Sequence, residues 1–357
     1  MTKVKFDLMN TRVTFNNVPI HVLSKFSFKD VNSASEEFKK IEGVDECIII
    51  QTASRVEIFT VSNTQEIDSP DARRDEGKSL ILNKIKDTWV KLTELEKIDI
   101  DHFDQTIEVY KGNDVYMHLL RLASGVDSFV VGKQEVYDEI VDALQRSKNA
   151  GNSGKILNKL FETSIRISEK IRSATGISKD VISLGDISVD VVDEKAGIDA
   201  KKKILLLGTG VLAAMIGKNL IKKDIPFDLA SRTIDRAEGF SKLIGGTPVN
   251  FEDVFANFDK YDIIFVATTA DYFMIDHERI KLKMEDKKKG TLILDISQPR
   301  AVAEDVTSLP AIKLLFRDQI DEIYEENVKA RKDIVPAVEK IIEKELPVLS
   351  LRMEKID

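Results

Sequence analysis

Apolar residues recur in short runs and alternations along this chain, separated by charged stretches, and their spacing predicts strands alternating with helices. The run Cys47–Gln51 reads as a buried strand that ends abruptly in Thr52, Ala53, Ser54 and Arg55. Alternation then resumes through Val56, Ile58 and Val61, predicting a second strand paired with the first. Lys3–Met9 reads as an earlier strand and Ser33–Ile41 as a helix with an N-terminal Ser. Asp68–Gly77, rich in Asp, Arg, Pro and Gly, is expected to be an exposed loop. Leu80, Leu82, Ile85, Trp89 and Leu92 fall at helical spacing within Lys78–Leu95. Asp114 is placed to cap a helix whose apolar face includes Val115, Leu119 and Leu122 and which Gly125 ends. A further helix runs to about Lys148, N-A-G-N-S-G marks a break, and Ile156–Ser173 is helical again.

The second half has a different rhythm. Lys203–Leu207 is a short apolar strand running into G-T-G-V-L-A, residues 208–213, before a helix. A strand, a glycine turn and a helix in that order set backbone N–H groups and a helix N-terminus against a pyrophosphate. Gly208, Thr209, Gly210, Val211, Leu212 and Ala213 are therefore candidate cofactor-binding residues, the alternative being an ordinary tight strand-to-helix turn. Strand Phe227–Ala230 ends in Ser231 and Arg232 with no carboxylate at its tip. Arg there favours a ribose 2′-phosphate and so NADPH; the other reading is a solvated surface Arg. Tyr261–Thr268 and Thr291–Ile296 read as later strands of the same sheet. From Arg317 to Glu345, Ile320, Ile323, Arg331, Val335, Val338 and Ile342 fall on one side of a long amphipathic helix, kinked or restarted at Pro336 and stopped by Pro347. Such a seam can pair two subunits.

Composition narrows the class. A chain of 357 residues, 43% hydrophobic and 32% charged, suits a globular protein of two or three domains. A formal charge of −8 argues against a general nucleic-acid binder, so any RNA contact calls for a local basic patch. The single cysteine, Cys47, excludes an intrachain disulfide and a cysteine-rich zinc site, and no metal site is expected. Its E-C-I-I-I setting suggests a buried, inert thiol. The charged start M-T-K-V-K-F-D-L is unlike a signal peptide and no run approaches membrane-spanning length, so a cytoplasmic protein is expected.

I-I-I-Q-T-A-S-R-V-E-I-F-T, residues 48–60, resembles the glutamyl-tRNA reductase signature Q/S-T-C-N-R-x-E-I-Y, and H-L-L-R-L-A-S-G-V-D-S-F-V-V-G-K-Q-E-V, residues 118–136, resembles that family's H-L-F-R-V-A-S-G-L-D-S-x-V-x-G-E-Q-E-I. S-L-G-D-I-S-V-D-V-V and D-I-S-Q-P-R are similar to two further family segments in the right order. The resemblance implies an α/β fold: an N-terminal catalytic-type domain over 1–150, an NADP-binding Rossmann domain over 151–308 with a leading helix at 156–173, and a long "spinal" helix with a shortened dimerisation region over 309–357. It also implies NADPH-dependent reduction of glutamyl-tRNA to glutamate-1-semialdehyde, the entry step of tetrapyrrole synthesis, in a homodimer.

By position, Arg55 would clamp a glutamate carboxylate, Thr52, Ser54 and Ser128 would supply short hydrogen-bonding groups, and His118 would stand beside the reacting carbonyl. Lys133, Gln134, Glu135 and Glu139 complete the substrate set. Bland readings compete: a structural ion pair of Arg55 with Glu57, and a satisfied core histidine at 118. The departures form a pattern. Ala53 stands where the family has its nucleophilic Cys, Ser54 where it has Asn, Lys133 where it has Glu and Glu139 where it usually has Gln. On a strand Ser54 would point to the opposite face, and Cys47 lies six residues back, roughly 20 Å along an extended strand, so neither replaces the thiol. Three explanations remain: an engineered Cys→Ala change, a reductase that transfers hydride directly to the ester, or a relative that binds NADPH or glutamyl-tRNA without catalysis. Without the resemblance, a shikimate-dehydrogenase-like NADP enzyme acting on a small carboxylate would be the reading.

Overall fold

The structure is a computed structural model and describes residues 6–18, 20–52, 54–63, 74–128, 130–179, 181–285, 287–321, 325, 329 and 333–356. Contacts divide the chain into two units: one from the described parts of 1–18, 25–181 and 329–357, the other from those of 19–24 and 182–328.

The first unit is built on four strands, β1 (Phe6–Thr14), β2 (Val44–Thr52), β3 (Arg55–Asn63) and β4 (Glu108–Lys111), ordered β2-β3-β1-β4. β1 pairs antiparallel with both neighbours. It runs to Thr14, beyond the expected end at Met9, because Asn10, Thr11 and Thr14 are buried polar residues of a central strand. A pattern search for apolar alternation stops at such residues. One face of the sheet carries Leu8, Ile48, Ile50, Phe59 and Val61 against the helices Asn113–Ser124 and Lys155–Thr175. Phe59 meets Phe161 edge-on at 5.1 Å, each buried ring contributing about 1.5–3 kcal/mol. On the other face Gln51 ties its side-chain amide to the backbone of Phe28, which packs with Phe38 and Trp89 from the helices Val31–Lys39 and Arg74–Leu92.

Gly112 caps the helix Asn113–Ser124, where Asp114 was expected to do so; Asp114 stands in the first turn, where its charge suits the helix N-terminus. Gly125 ends that helix in the left-handed conformation at φ 91°, as expected. Lys155–Thr175 begins where Glu46 accepts hydrogen bonds from the N–H groups of Ile156 and Leu157 at 3.0 and 2.7 Å.

The expected boundaries at 150 and 308 do not coincide with these units. Lys155–Thr175 buries Leu157, Leu160, Phe161, Ile167 and Ile171 in the N-terminal core, and the C-terminal helix Val335–Glu354 adds Val338, Ile342, Leu349 and Met353 to the same core. Val338 and Ile342, expected in a seam between subunits, are thus buried within one chain. That helix starts at Val335 with Pro336 in its first turn, where no N–H is needed, but it continues through Pro347 to Glu354 and is not stopped there. Ile323 and Arg331 lie outside the described residues, as do residues 68–73 of the expected loop, whereas residues 74–77 open the helix Arg74–Leu92.

The second unit is a six-stranded parallel sheet of β5 (Ile204–Leu207), β6 (Asp228–Ala230), β7 (Thr247–Pro248), β8 (Ile263–Val266), β9 (Thr291–Asp295) and β10 (Ile312–Phe316). Its order, β10-β9-β8-β5-β6-β7, is that of a doubly wound dinucleotide-binding fold, with the switch point between β5 and β8. All residues of β5, β8 and β9 are buried, as expected of strands covered on both faces.

Candidate functional site

β2 and β3 pair Thr52 directly with Arg55, so the chain reverses within two residues. Ser54 therefore belongs to the turn, and the expectation that strand alternation aims it at the opposite face does not hold. Its Oγ lies 3.1 Å from Thr52 Oγ1. Ala53 lies outside the described residues. Cys47 is buried on β2, and burial pushes its thiol up to about 12, in keeping with the inert thiol expected.

The register aligns charged residues in rows on one face of the sheet. Arg12 on β1 stands opposite Glu57 of β3 on one side and Glu108 of β4 on the other; one step along, Thr14 stands opposite Arg55. His118, from the helix Asn113–Ser124, lies over this face, its Nε2 2.7 Å from Glu57 Oε2. Arg55 donates to Glu57 Oε1 at 2.9 Å and to the Asp127 carbonyl at 2.6 Å. Arg12 donates to Glu108 at 2.8 Å and reaches Tyr110 and His118. Arg121 joins Asp127 at 3.0 Å and Glu339 of the C-terminal helix at 2.7 Å.

Burial is severe: Arg55 is 2% exposed, Glu57 0% and His118 3%. Burial alone would push the Glu57 carboxyl up, but His118, Arg55 and Arg12 together hold it well below the ordinary carboxylate range. Burial lowers His118, and Glu57 and Asp127 outweigh it, holding the ring above its usual value while Arg12 works the other way.

A polar cavity of about 380 Å³ opens beside this array, lined by Arg12, Arg55, Arg121, Tyr110, Asp127 and Ser128 among others. Two buried polar atoms of residues that line it, Arg55 Nε and Ser128 Oγ, have no protein partner. Arg55 thus makes the ion pair with Glu57 that the sequence allowed, and it also lines a cavity. Its Nη1 and Nη2 each engage one protein acceptor, and Nε engages none.

Lys133, Gln134, Glu135 and Glu139 are not among the residues lining this cavity. Gln134 lines a separate opening with Tyr137, Glu169 and Arg172, and Glu139 pairs with Arg146 at 2.6 Å. Arg172 is buried and donates to the carbonyls of Ala123, Gly132 and Lys133 and to Gln134 Oε1, at 2.9–3.3 Å. It is packed so closely that a Cβ at Gly125 would lie 2.8 Å from its Nη1. Arg12, Glu108 and Tyr110 were not found from the sequence. The available signal was an Arg two residues from Asn10 and Thr14, which marks a polar row once the strand is known to continue.

In the second unit β5 ends in Gly208 at φ 130°, where a Cβ would lie 2.1 Å from the Ala267 carbonyl oxygen. Gly210 caps the helix Val211–Lys222, and the place a Cβ would take there is open space. Thr209, Val211, Leu212 and Ala213 complete the turn and the first helical residues. This close approach at Gly208, followed by room at a helix N-terminus, fits a dinucleotide phosphate. Ser231 is buried and donates to the Thr233 carbonyl at 2.9 Å, whereas Arg232 is exposed just past β6. The carboxylate of β6, Asp228, is engaged at the strand's start by Lys203 and Tyr261 at 2.7 and 2.9 Å. No helix among the described residues is long and apolar enough to cross a membrane.

The family model described as "Glutamyl-tRNAGlu reductase, N-terminal domain" matches residues 11–175, and that described as "Shikimate / quinate 5-dehydrogenase" matches residues 190–325. The chain is 40% identical over 350 residues to a glutamyl-tRNA reductase of Cenarchaeum symbiosum, covering 98% of this chain and 79% of the relative. It is 32% identical over 346 residues to that of Methanococcus aeolicus, covering 97% and 79%. The solved glutamyl-tRNA reductase from Methanopyrus kandleri matches with a TM-score of 0.50 at 26% identity, over 98% of this chain and 80% of that one. With relatives this similar spanning both units, the chain belongs to the glutamyl-tRNA reductase family.

Proposed function

We propose that this protein acts in the cytoplasm on glutamyl-tRNA, reducing its glutamyl ester to glutamate-1-semialdehyde with NADPH, the entry to tetrapyrrole synthesis. The observation that carries this reading is the polar cavity lined by Arg55 and Ser128, whose Nε and Oγ have no protein partner, near the buried His118–Glu57 pair. Unpaired donors in a buried wall are costly unless a ligand or water completes them. Arg55 and Ser128, with Thr52 and Ser54 at the hairpin end, would hold the glutamate carboxylate. His118 would move the proton that the departing ribose oxygen requires. NADPH, when bound, supplies the hydride. Gly208 and Gly210 would admit its pyrophosphate, and exposed Arg232 would meet the 2′-phosphate.

Position 53 shapes the rest. Ala53 brings no nucleophile, so on this reading the hydride goes to the ester carbonyl carbon, the acyl–oxygen bond breaks and a proton passes to the ribose oxygen. That is harder than reducing a thioester. Ala53 equally favours a second reading, in which the protein binds NADPH or glutamyl-tRNA as a regulator. Glutamyl-tRNA would meet a local basic patch. A homodimer formed through the C-terminal helix would use Val348 and Leu351, its exposed apolar residues.

Single-turnover NADPH oxidation with glutamyl-tRNA, compared with Ala53→Cys, separates these readings. Turnover by the unaltered protein supports direct reduction. Turnover by Ala53→Cys alone marks a reductase scaffold without its nucleophile. Silence from both with NADPH still bound favours the regulator, and loss of both NADPH and tRNA binding refutes the proposal.

A further inference from the structure

Arg12 bears on His118 in a way that constrains where the ring proton sits. Its Nε donates to Glu108 and its Nη2 to Tyr110, while Nη1 lies 2.9 Å from Nδ1 and 3.3 Å from Nε2 of His118. A guanidinium has only donors and stays charged. The Nε2 nitrogen faces Glu57 Oε2 at 2.7 Å, an acceptor, and so carries a hydrogen. The Arg12 contact is then a hydrogen bond only where Nδ1 offers a lone pair, which describes the neutral Nε2–H tautomer. Asp127 Oδ2 lies 3.5 Å from the same Nδ1 and can engage it only when that nitrogen is protonated. Arg12 and Asp127 both line the cavity, so Nδ1 is on the cavity side of the ring, contested by a cation and a carboxylate.

We propose that Arg12 is a positioning residue that fixes neutral His118 as the Nε2–H tautomer and opposes its protonation, so that Nδ1 can take up a proton and give it up again. The proposal rests on the reductase reading only for the use made of that proton. The groups around the ring are Glu57 and Arg55 from β3, Glu108 and Tyr110 from β4, Arg121 from the ring's own helix, and Asp127 just after it. Phe59 stacks parallel to it at a centroid distance of 6.5 Å. Without Arg12 the three carboxylates, Glu57, Glu108 and Asp127, outnumber Arg55 and Arg121, and the imidazolium is favoured further. An imidazolium cannot take up a proton, so Arg12 would keep His118 titratable.

The test is 15N NMR of the imidazole nitrogens in the full chain, with the His118 signals assigned by their loss in His118→Asn. The unaltered protein at about pH 8 is expected to show a neutral ring protonated at Nε2. In Arg12→Gln the apparent pKa is expected to rise by about one unit or more, a tenfold change in protonation. Asp127→Asn is expected to shift it the other way. An Nδ1–H or imidazolium signal from the unaltered protein at that pH overturns the proposal without any variant. An unchanged titration in a folded Arg12→Gln overturns it as well. No NADPH or tRNA is needed, so the outcome is independent of whether the protein turns over.

Discussion

Replacing Glu57 by Gln strikes the centre of the buried array. The carboxylate is fully buried and answers both Arg55 and His118, at 2.9 and 2.7 Å. Its loss leaves the buried Arg55 guanidinium without its counter-charge, and breaking one partner of such a pair costs about 3–5 kcal/mol. Removing the stranded cation should relieve part of that cost. Arg55→Met added to Glu57→Gln is therefore expected to destabilise by at least about 1 kcal/mol less than the sum of the single changes. Urea unfolding of the full chain at neutral pH measures this, with two optical probes to resolve separate transitions of the two units. The pH dependence follows from the same carboxylate. Its folded-state pKa is depressed, so in the unfolded chain it takes up a proton near pH 4.3 while in the folded chain it stays ionised to lower pH. Its contribution is full above that value and is lost as pH falls below it; Glu57→Gln should flatten the acid limb of the stability curve. A loss under about 1 kcal/mol, or strict additivity of the double variant, would refute the reasoning.

Three more outcomes are expected. Gly208→Ala would drive a methyl to within 2.1 Å of the Ala267 carbonyl at a left-handed φ, so NADPH binding read by nicotinamide fluorescence should be lost and the melting temperature should fall. Arg232→Ala should weaken NADPH by about tenfold, the worth of a charged hydrogen bond, and leave NADH unchanged; equal weakening of both would count against the 2′-phosphate contact. Native Cys47 should resist a thiol reagent at neutral pH and react only as fast as the chain opens, since it is buried with its thiol pushed up to about 12.

The dinucleotide unit was legible because β5, the glycine turn and the following helix are contiguous, and fully buried parallel strands read as plain apolar runs. Gly125 was legible for the same local reason, since a left-handed helix end favours glycine. Arg12 was not legible, because its partners Glu57, Glu108 and His118 come from three other elements, brought together only by the register of β1 with β3 and β4. Ser54 misled because strand alternation was carried through what is a two-residue reversal. Pro347 misled because a missing N–H is tolerated in a helix whose neighbours Leu349 and Met353 are buried against the N-terminal core. The contact units differ from the expected domains because the break at 149–154 interrupts helices without ending the core they share.

Arg172 has one more implication. A single side chain from the helix Lys155–Thr175 takes the carbonyls at both ends of the stretch from Ala123 to Lys133, while the Gly132 N–H returns to the Gly125 carbonyl at 2.9 Å. The two ends of the segment are thereby clasped together, with Asp127 and Ser128 between them. Adding or deleting a residue between Ala123 and Asp127 is expected to move Ser128 off the cavity wall. The helix Lys155–Thr175 and the segment that follows Asn113–Ser124 thus form one frame around Asp127 and Ser128.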